Sequence, residues 1–156
     1  LAARPSTRYA TAPWLLVGGQ NLPTTAFAAL QESIPSGCSL ERYRSNLPAL
    51  MGQCEVSVSQ AGYNSVVEGL AAEARMVLVP FAAGEEDEQE QRARRLVELG
   101  LAQRVAESEL SGAQLAQAID RAGATARPHS TGWSFDGAAR SADIVAGLIR
   151  ERFGGG

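Results

Sequence analysis

The chain has 156 residues, 45% hydrophobic and only 6% aromatic, so it fits one domain of ordinary size whose core is filled mainly by Leu, Val and Ala. With 14 basic against 17 acidic side chains the formal net charge is −3, which argues against a nucleic-acid binder, a class that needs a basic face. No apolar run approaches the roughly 20 residues of a membrane span. The opening residues lack the charged start and apolar stretch of a signal peptide, and the only cysteines, Cys38 and Cys54, lack CxxC spacing. Together these features predict reduced thiols and a cytoplasmic setting.

In chain order, residues 1–13 read as a linker or the remnant of a preceding element. Trp14 to Val17 is a short apolar run stopped by Gly18-Gly19 and predicts a buried strand. Pro23 to Ser33 places Phe27 and Leu30 at helical spacing before Pro35-Ser36-Gly37 ends the pattern. Cys38 to Leu40 predicts a brief strand, Pro48 to Gln53 one or two helical turns, and Val56 to Ser59 another strand. Asn64 to Ala74 predicts a helix with Val66, Val67, Leu70 and Ala71 apolar. Met76 to Val79 is the strongest strand signal, closed by Pro80. A loop leads to a helix from Glu86 to Leu99, with acids in its first turns and Arg94-Arg95 near its end, as the helix dipole favours. Gly100 suits its C-cap. Ala102 to Val105 predicts a strand and Ser111 to Ala122 a helix. Ala124 to Phe135 reads as a loop, Ala138 to Phe153 as a last helix, and residues 154–156 as a disordered tail. Apolar strands alternating with helices predict an α/β domain over 14–153, a Rossmann-like parallel sheet with helices on both faces.

Ligands of such sheets bind beyond the carboxyl ends of the strands, which selects the loops after Val17, Ser59 and Val79. In Ser59-Gln60-Ala61-Gly62-Tyr63-Asn64-Ser65-Val66-Val67-Glu68 a strand ends, a glycine permits a tight turn, and a helix begins with small polar residues. Free N–H groups at a helix start attract anions, Gly62 allows close approach of a phosphate, and Ser65 adds a hydroxyl. Glu68 lies on the same face one turn deeper and suits the vicinal hydroxyls of a ribose. The pair Ser65 and Glu68 also matches a capping box, which needs no ligand, and the local pattern by itself favours that reading.

The run from Val58 to Glu68, followed by Leu78-Val79-Pro80-Phe81 and then Glu88-Gln89-x-x-Arg92-Ala93, resembles the C-terminal domain of family 28 glycosyltransferases. It is closer still to a bacterial group within that family marked by SQxGYN and EQxxRA segments. The resemblance runs from about Trp14 to Val105. It implies a GT-B fold with a nucleotide-sugar donor, UDP-GlcNAc being one such donor, as substrate and no cofactor. Gly62, Asn64 and Ser65 would hold the donor phosphates and Glu68 the ribose. Arg44 and Ser45, in the Tyr43-to-Asn46 loop, would face the base, and Glu88 and Gln89 the donor sugar. The first of these last two is a glutamate where the family uses glutamine, and Arg44 stands where an aliphatic residue is expected. The resemblance further implies an earlier strand and glycine-rich loop ahead of Trp14, whereas Leu1 to Pro13 holds no glycine. It also implies an N-terminal acceptor-binding domain, or a partner chain, that carries the catalytic residues. The expectation is therefore a fragment that is inactive by itself, with any peripheral membrane association confined to the other half.

The remaining candidates read as structural. Consecutive acids at Glu85-Glu86-Asp87-Glu88 project in different directions, so a solvated helix start is favoured over a metal site. His129 reads as a surface loop residue rather than a base. Ser65 and Ser134 lack the G-x-S-x-G context of a hydrolase nucleophile. Two rival functions share the donor site: a non-catalytic nucleotide-sugar-binding subunit and a UDP-sugar epimerase-like domain.

Overall fold

The computed structural model describes residues 7–81, 87–129 and 136–153. The tail at 154–156, Glu85 and Glu86, Ser134 and the end of the loop read at 124–135 lie outside them.

Among the described residues five strands alternate with helices. They are β1 (Trp14–Val17), β2 (Cys38–Glu41), β3 (Ser57–Ser59), β4 (Met76–Leu78) and β5 (Ala102–Arg104). Between and after them run α1 (Thr24–Ser33), α2 (Leu47–Gln53), α3 (Tyr63–Ala71), α4 (Glu88–Glu98), α5 (Gly112–Ala124) and α6 (Gly137–Phe153). Every pairing among them is parallel, as the alternation of apolar strands and helices predicts. The hydrogen bonding, however, falls into two ladders, β1-β2 and β3-β4-β5. Among the described residues no ladder joins β1 to β3, and Leu15 and Val58 on these two strands are 39% and 41% exposed. No strand precedes β1 among the described residues. Instead residues 7–12 form turns, Ala10 N–H donating to Thr7 O and Ala12 N–H to Tyr9 O.

β4 anchors the core because neighbouring side chains point to opposite faces of a strand. Met76 and Leu78 pack with Met51, Val66, Leu70, Ala93 and Leu96 from α2, α3 and α4. Val77 packs on the other face with Val105, Ala118, Ile119 and Ala122, flanked by Tyr9 and Trp14. All three β4 side chains are at most 1% exposed, and burying each contributes about 1.5–3 kcal/mol. That double burial is why this strand reads as an uninterrupted apolar run.

Three helix ends carry identifiable caps. Ser111 caps α5 by accepting from the Gln114 N–H at 3.2 Å, so the helix starts one residue after the cap. α4 ends with the Gly100 N–H donating to Val97 O and the Leu101 N–H to Leu96 O, a Schellman motif with Gly100 at φ +71. α3 closes in the same way, the Glu73 N–H donating to Leu70 O and the Ala74 N–H to Gly69 O. Here the left-handed position is filled by Glu73, at φ 51. This stops α3 at Ala71, although the good helix formers at 71–74 predict continuation to Ala74. A short 3-10 turn at Glu107–Glu109 precedes α5. No described helix is long and apolar enough to cross a membrane.

Candidate functional site

The loop after β3 ends in Gly62, the N-cap of α3, which has no side-chain cap hydrogen bond. Ser65 is therefore the third helical residue and not the cap, and the capping box is not formed. The first helical bond of this end runs from the Val66 N–H to Gly62 O at 3.0 Å, so the amides of Tyr63, Asn64 and Ser65 precede the ladder and lack helical acceptors. Tyr63 and Asn64 are exposed and Ser65 half-buried.

Gly62 has φ −62, a backbone conformation any residue adopts, so the turn itself does not require glycine. A Cβ there would meet nothing within 4 Å. What the missing side chain provides is open space over the helix start, compatible with close approach of a ligand. The Gly18-Gly19 turn after β1 is the opposite case. Gly19 lies at φ +78, and a Cβ on Gly18 would come within 2.8 Å of Leu22 Cδ2, so these glycines answer to backbone and packing.

Glu68 is half-buried one turn below Ser65, and no side-chain partner of its carboxylate is found among the described residues. Just before the turn, Ser59 Oγ is buried with no described hydrogen-bond partner. An orphaned buried hydroxyl is uncommon enough to mark the carboxyl end of β3.

The loop after β4 meets this turn through the first turn of α4. Glu88, 81% exposed, forms an ion pair with Arg92. Arg92 Nη1 also donates to the Ala61 carbonyl at 2.6 Å, and its guanidinium carbon lies 5.8 Å from the centroid of the Tyr63 ring. Gln89 Oε1 accepts from the Phe81 N–H at 3.1 Å. The carbonyl end of that amide thus holds its own loop, and the NH2 end is left as the donor. The structure therefore brings Glu88 and Gln89 to the same end of the sheet as residues 61–65.

Arg44 and Ser45 lie on the loop after β2, on the other ladder. Arg44 is held by Glu41, Nη2 donating to Oε1 at 2.8 Å, while Ser45 is exposed. Arg42 ties this loop to the one after β1, donating to Leu22 O at 2.8 Å and stacking 4.4 Å from the Phe27 centroid. Sequence reasoning assigned no role to Arg42 or Arg92. The i,i+4 spacing of Glu88 and Arg92 is one at which helical side chains pair, but nothing in the sequence links Arg92 to Ala61.

Charge is organised on the far side of α4. The partial burial of Glu90 opposes its ionisation, but hydrogen bonds from Arg104 and Arg94 outweigh that and hold its carboxyl below the usual glutamate range. Burial pushes the Cys54 thiol up despite the nearby Arg127, as expected of a structural cysteine. His129 is 78% exposed, with Glu73 3.8 Å away, in keeping with a surface residue. Among the described residues no cluster of three or more His, Cys, Asp and Glu is placed to hold a metal ion. A shallow hollow near Arg75, Gly100 and Thr125, beside the starts of β4 and β5, includes none of the candidate residues.

The profile of the glycosyltransferase family 28 C-terminal domain matches residues 16–129. The UDP-N-acetylglucosamine--N-acetylmuramyl-(pentapeptide) pyrophosphoryl-undecaprenol N-acetylglucosamine transferase of Lactiplantibacillus plantarum is 33% identical over 81 residues, covering 52% of this chain and 22% of the relative. The protein of the same name from Anaeromyxobacter sp. is 30% identical over 116 residues, 70% of this chain and 30% of the relative. The matched region thus spans less than a third of either relative. Among solved structures, a calicheamicin glycosyltransferase superposes with a TM-score of 0.66 at 21% identity, covering 98% of this chain and 46% of that one. MurG of Acinetobacter baumannii gives 0.61 at 18% identity, covering 91% and 53%. At such identities the structural likeness speaks to the fold alone.

Proposed function

The chain belongs to the glycosyltransferase family 28 C-terminal domain family, and from that premise we propose that it binds a nucleotide-sugar donor, UDP-GlcNAc being the first candidate. The observation that carries this reading is the start of α3, which has no side-chain cap, with the Glu68 carboxylate one turn deeper and the buried Ser59 Oγ at the end of β3 both lacking a side-chain partner among the described residues. Phosphate oxygens accept from the Tyr63, Asn64 and Ser65 amides and the Ser65 hydroxyl, where the helix dipole favours negative charge. Glu68, an acceptor when ionised, takes hydrogen bonds from the ribose diol. Arg44 and Ser45 face the base, and Glu88 with the Gln89 NH2 group faces the sugar. The names of the two relatives support UDP-GlcNAc as the donor to try first.

In the whole protein the proposed reaction is sugar transfer to an acceptor hydroxyl. The acceptor oxygen bonds to the anomeric carbon, the bond from that carbon to the diphosphate breaks, and the acceptor proton passes to a base outside this chain. The leaving diphosphate gains charge in the transition state, and amides already aimed at it lower the barrier without reorganising. This role calls for no metal.

The test is a titration of UDP and UDP-GlcNAc into labelled chain, followed by amide NMR shifts, with Glu68→Ala alongside. Shifts should centre on Gly62 to Glu68 and on Glu88 and Gln89, and the variant should bind UDP more weakly by about 1–3 kcal/mol. An absence of shifts at millimolar UDP, or unchanged affinity in the variant, refutes the assignment.

A further inference from the structure

Three arginines on α4 form helical ion pairs, and one of them differs in kind. Arg94 pairs with Glu90 and Arg95 with Glu98, each arginine side chain 68% exposed. Pairs of that sort on a solvated helix face contribute a few tenths of a kcal/mol. Arg92 is 19% exposed and reaches beyond its own helix. One nitrogen holds the Ala61 carbonyl, 31 residues earlier in the chain, another holds Glu88, and the guanidinium lies beside the Tyr63 ring. The planar fork of arginine makes such contacts at once, which a lysine does not.

The contact with Ala61 has a geometric effect. The Ala61 carbonyl and the Gly62 N–H belong to one planar trans peptide and point in opposite directions. Holding the oxygen against α4 thus fixes the direction of the Gly62 N–H and the setting of the helix start that follows. Ala61 itself is fully buried, so its side chain is packed while its carbonyl is hydrogen-bonded. On the donor reading the contact with Glu88 also offsets a negative charge at the site, an effect that solvent weakens because Glu88 is 81% exposed.

We propose that Arg92 is a positioning residue of the donor site, locking the turn at 61–65 to the first turn of α4 so that the phosphate-facing amides and the sugar-facing Glu88 form one rigid unit. The proposal rests on the donor reading, but part of its test does not require ligand.

The experiment compares labelled wild-type chain with Arg92→Met, Arg92→Lys and Arg94→Met, first free and then titrated with UDP. In free Arg92→Met the amide resonances of Gly62 to Ser65 should move or broaden, and UDP affinity should fall about tenfold, the effect of losing one charge-assisted hydrogen bond. Arg92→Lys keeps the charge with a single donor group and should fall between the two. Arg94→Met removes a pair of the same i,i+4 spacing whose arginine makes no contact with residues 61–65 among the described residues, and should leave the resonances of residues 62–65 and UDP binding as in the wild type. If Arg92→Met lowers only the melting temperature, or if Arg94→Met matches it in both readouts, the positioning role is overturned. Should Arg92→Met fail to fold, Arg92→Lys provides the same readouts, and wild-type resonances in it overturn the proposal. Failure of wild-type chain to bind UDP refutes the donor reading instead, and the ligand-free shifts still decide the role of Arg92.

Discussion

Gly69→Ala tests whether α3, which carries the proposed phosphate and ribose residues, is seated as tightly on β4 as the structure requires. Gly69 is buried, and a Cβ placed on it would lie 2.4 Å from Met76 Sδ, 3.3 Å from Met76 Cγ and 3.1 Å from Met51 Cε. Comfortable contact for such atoms is about 3.5–4.0 Å, so Met76 must withdraw by more than an ångström or the helix must lift. Met76 is 1% and Met51 5% exposed, which leaves Met76 little room despite methionine's flexibility. Overpacking of this kind costs about 1–3 kcal/mol, while replacing glycine within a helix recovers about 0.8–1.0 kcal/mol. The expected net loss is about 1 kcal/mol, or roughly 2–4 °C in melting temperature for a chain of this size. Calorimetric melts of the variant and of the wild type measure it. A Gly69→Ala/Met76→Val double variant should be less destabilised than the sum of the two single changes, since shortening Met76 relieves the clash. An unchanged or raised melting temperature in Gly69→Ala, with additive behaviour of the pair, would show that the α3–β4 contact is looser than argued.

Two further predictions concern stability. Glu73→Gly should raise stability by about 0.5–1 kcal/mol, because Glu73 holds the left-handed position of a Schellman motif at φ 51, where a Cβ is penalised; a denaturation midpoint at or below wild type refutes this. Glu90 bears on pH. Its folded-state pKa is depressed by Arg104 and Arg94, so the stability it contributes is present above the ordinary glutamate range and lost as pH falls through the depressed value. Glu90→Gln should therefore lose less stability than wild type between about pH 6 and about pH 3, and equal losses in urea titrations at the two pH values would refute the sign.

Much of the fold was legible because its signals are local. Trp14 to Val17 and Met76 to Leu78 announce themselves as apolar runs, and Gly100 ends α4 by a rule that concerns a single residue. Errors arose where distant packing overrode local preference. The residues at 71–74 favour helix, yet Glu73 turns left-handed and Ala74 is fully buried. The capping box failed for a related reason, since Gly62, and not Ser65, stands at the helix start. Within the candidate site, the placement of Gly62, Asn64, Ser65 and Glu68 on a strand–turn–helix unit followed from sequence order. That Gln89 uses its carbonyl to hold Phe81, and that Arg92 reaches Ala61, depends on loops meeting in space, to which no spacing rule gives access.

The division of the strands into two ladders has a mechanical consequence. Among the described residues backbone hydrogen bonds carry load within each ladder but not across the seam between the two, where side chains such as Trp14 of β1, packed against the Val77 cluster, do the coupling. The proposed base-facing loop stands on one bank of that seam and the proposed phosphate-facing turn on the other. A nucleotide lying between them would act as a tie-bar, and its own stiffness would become part of the stiffness of the sheet.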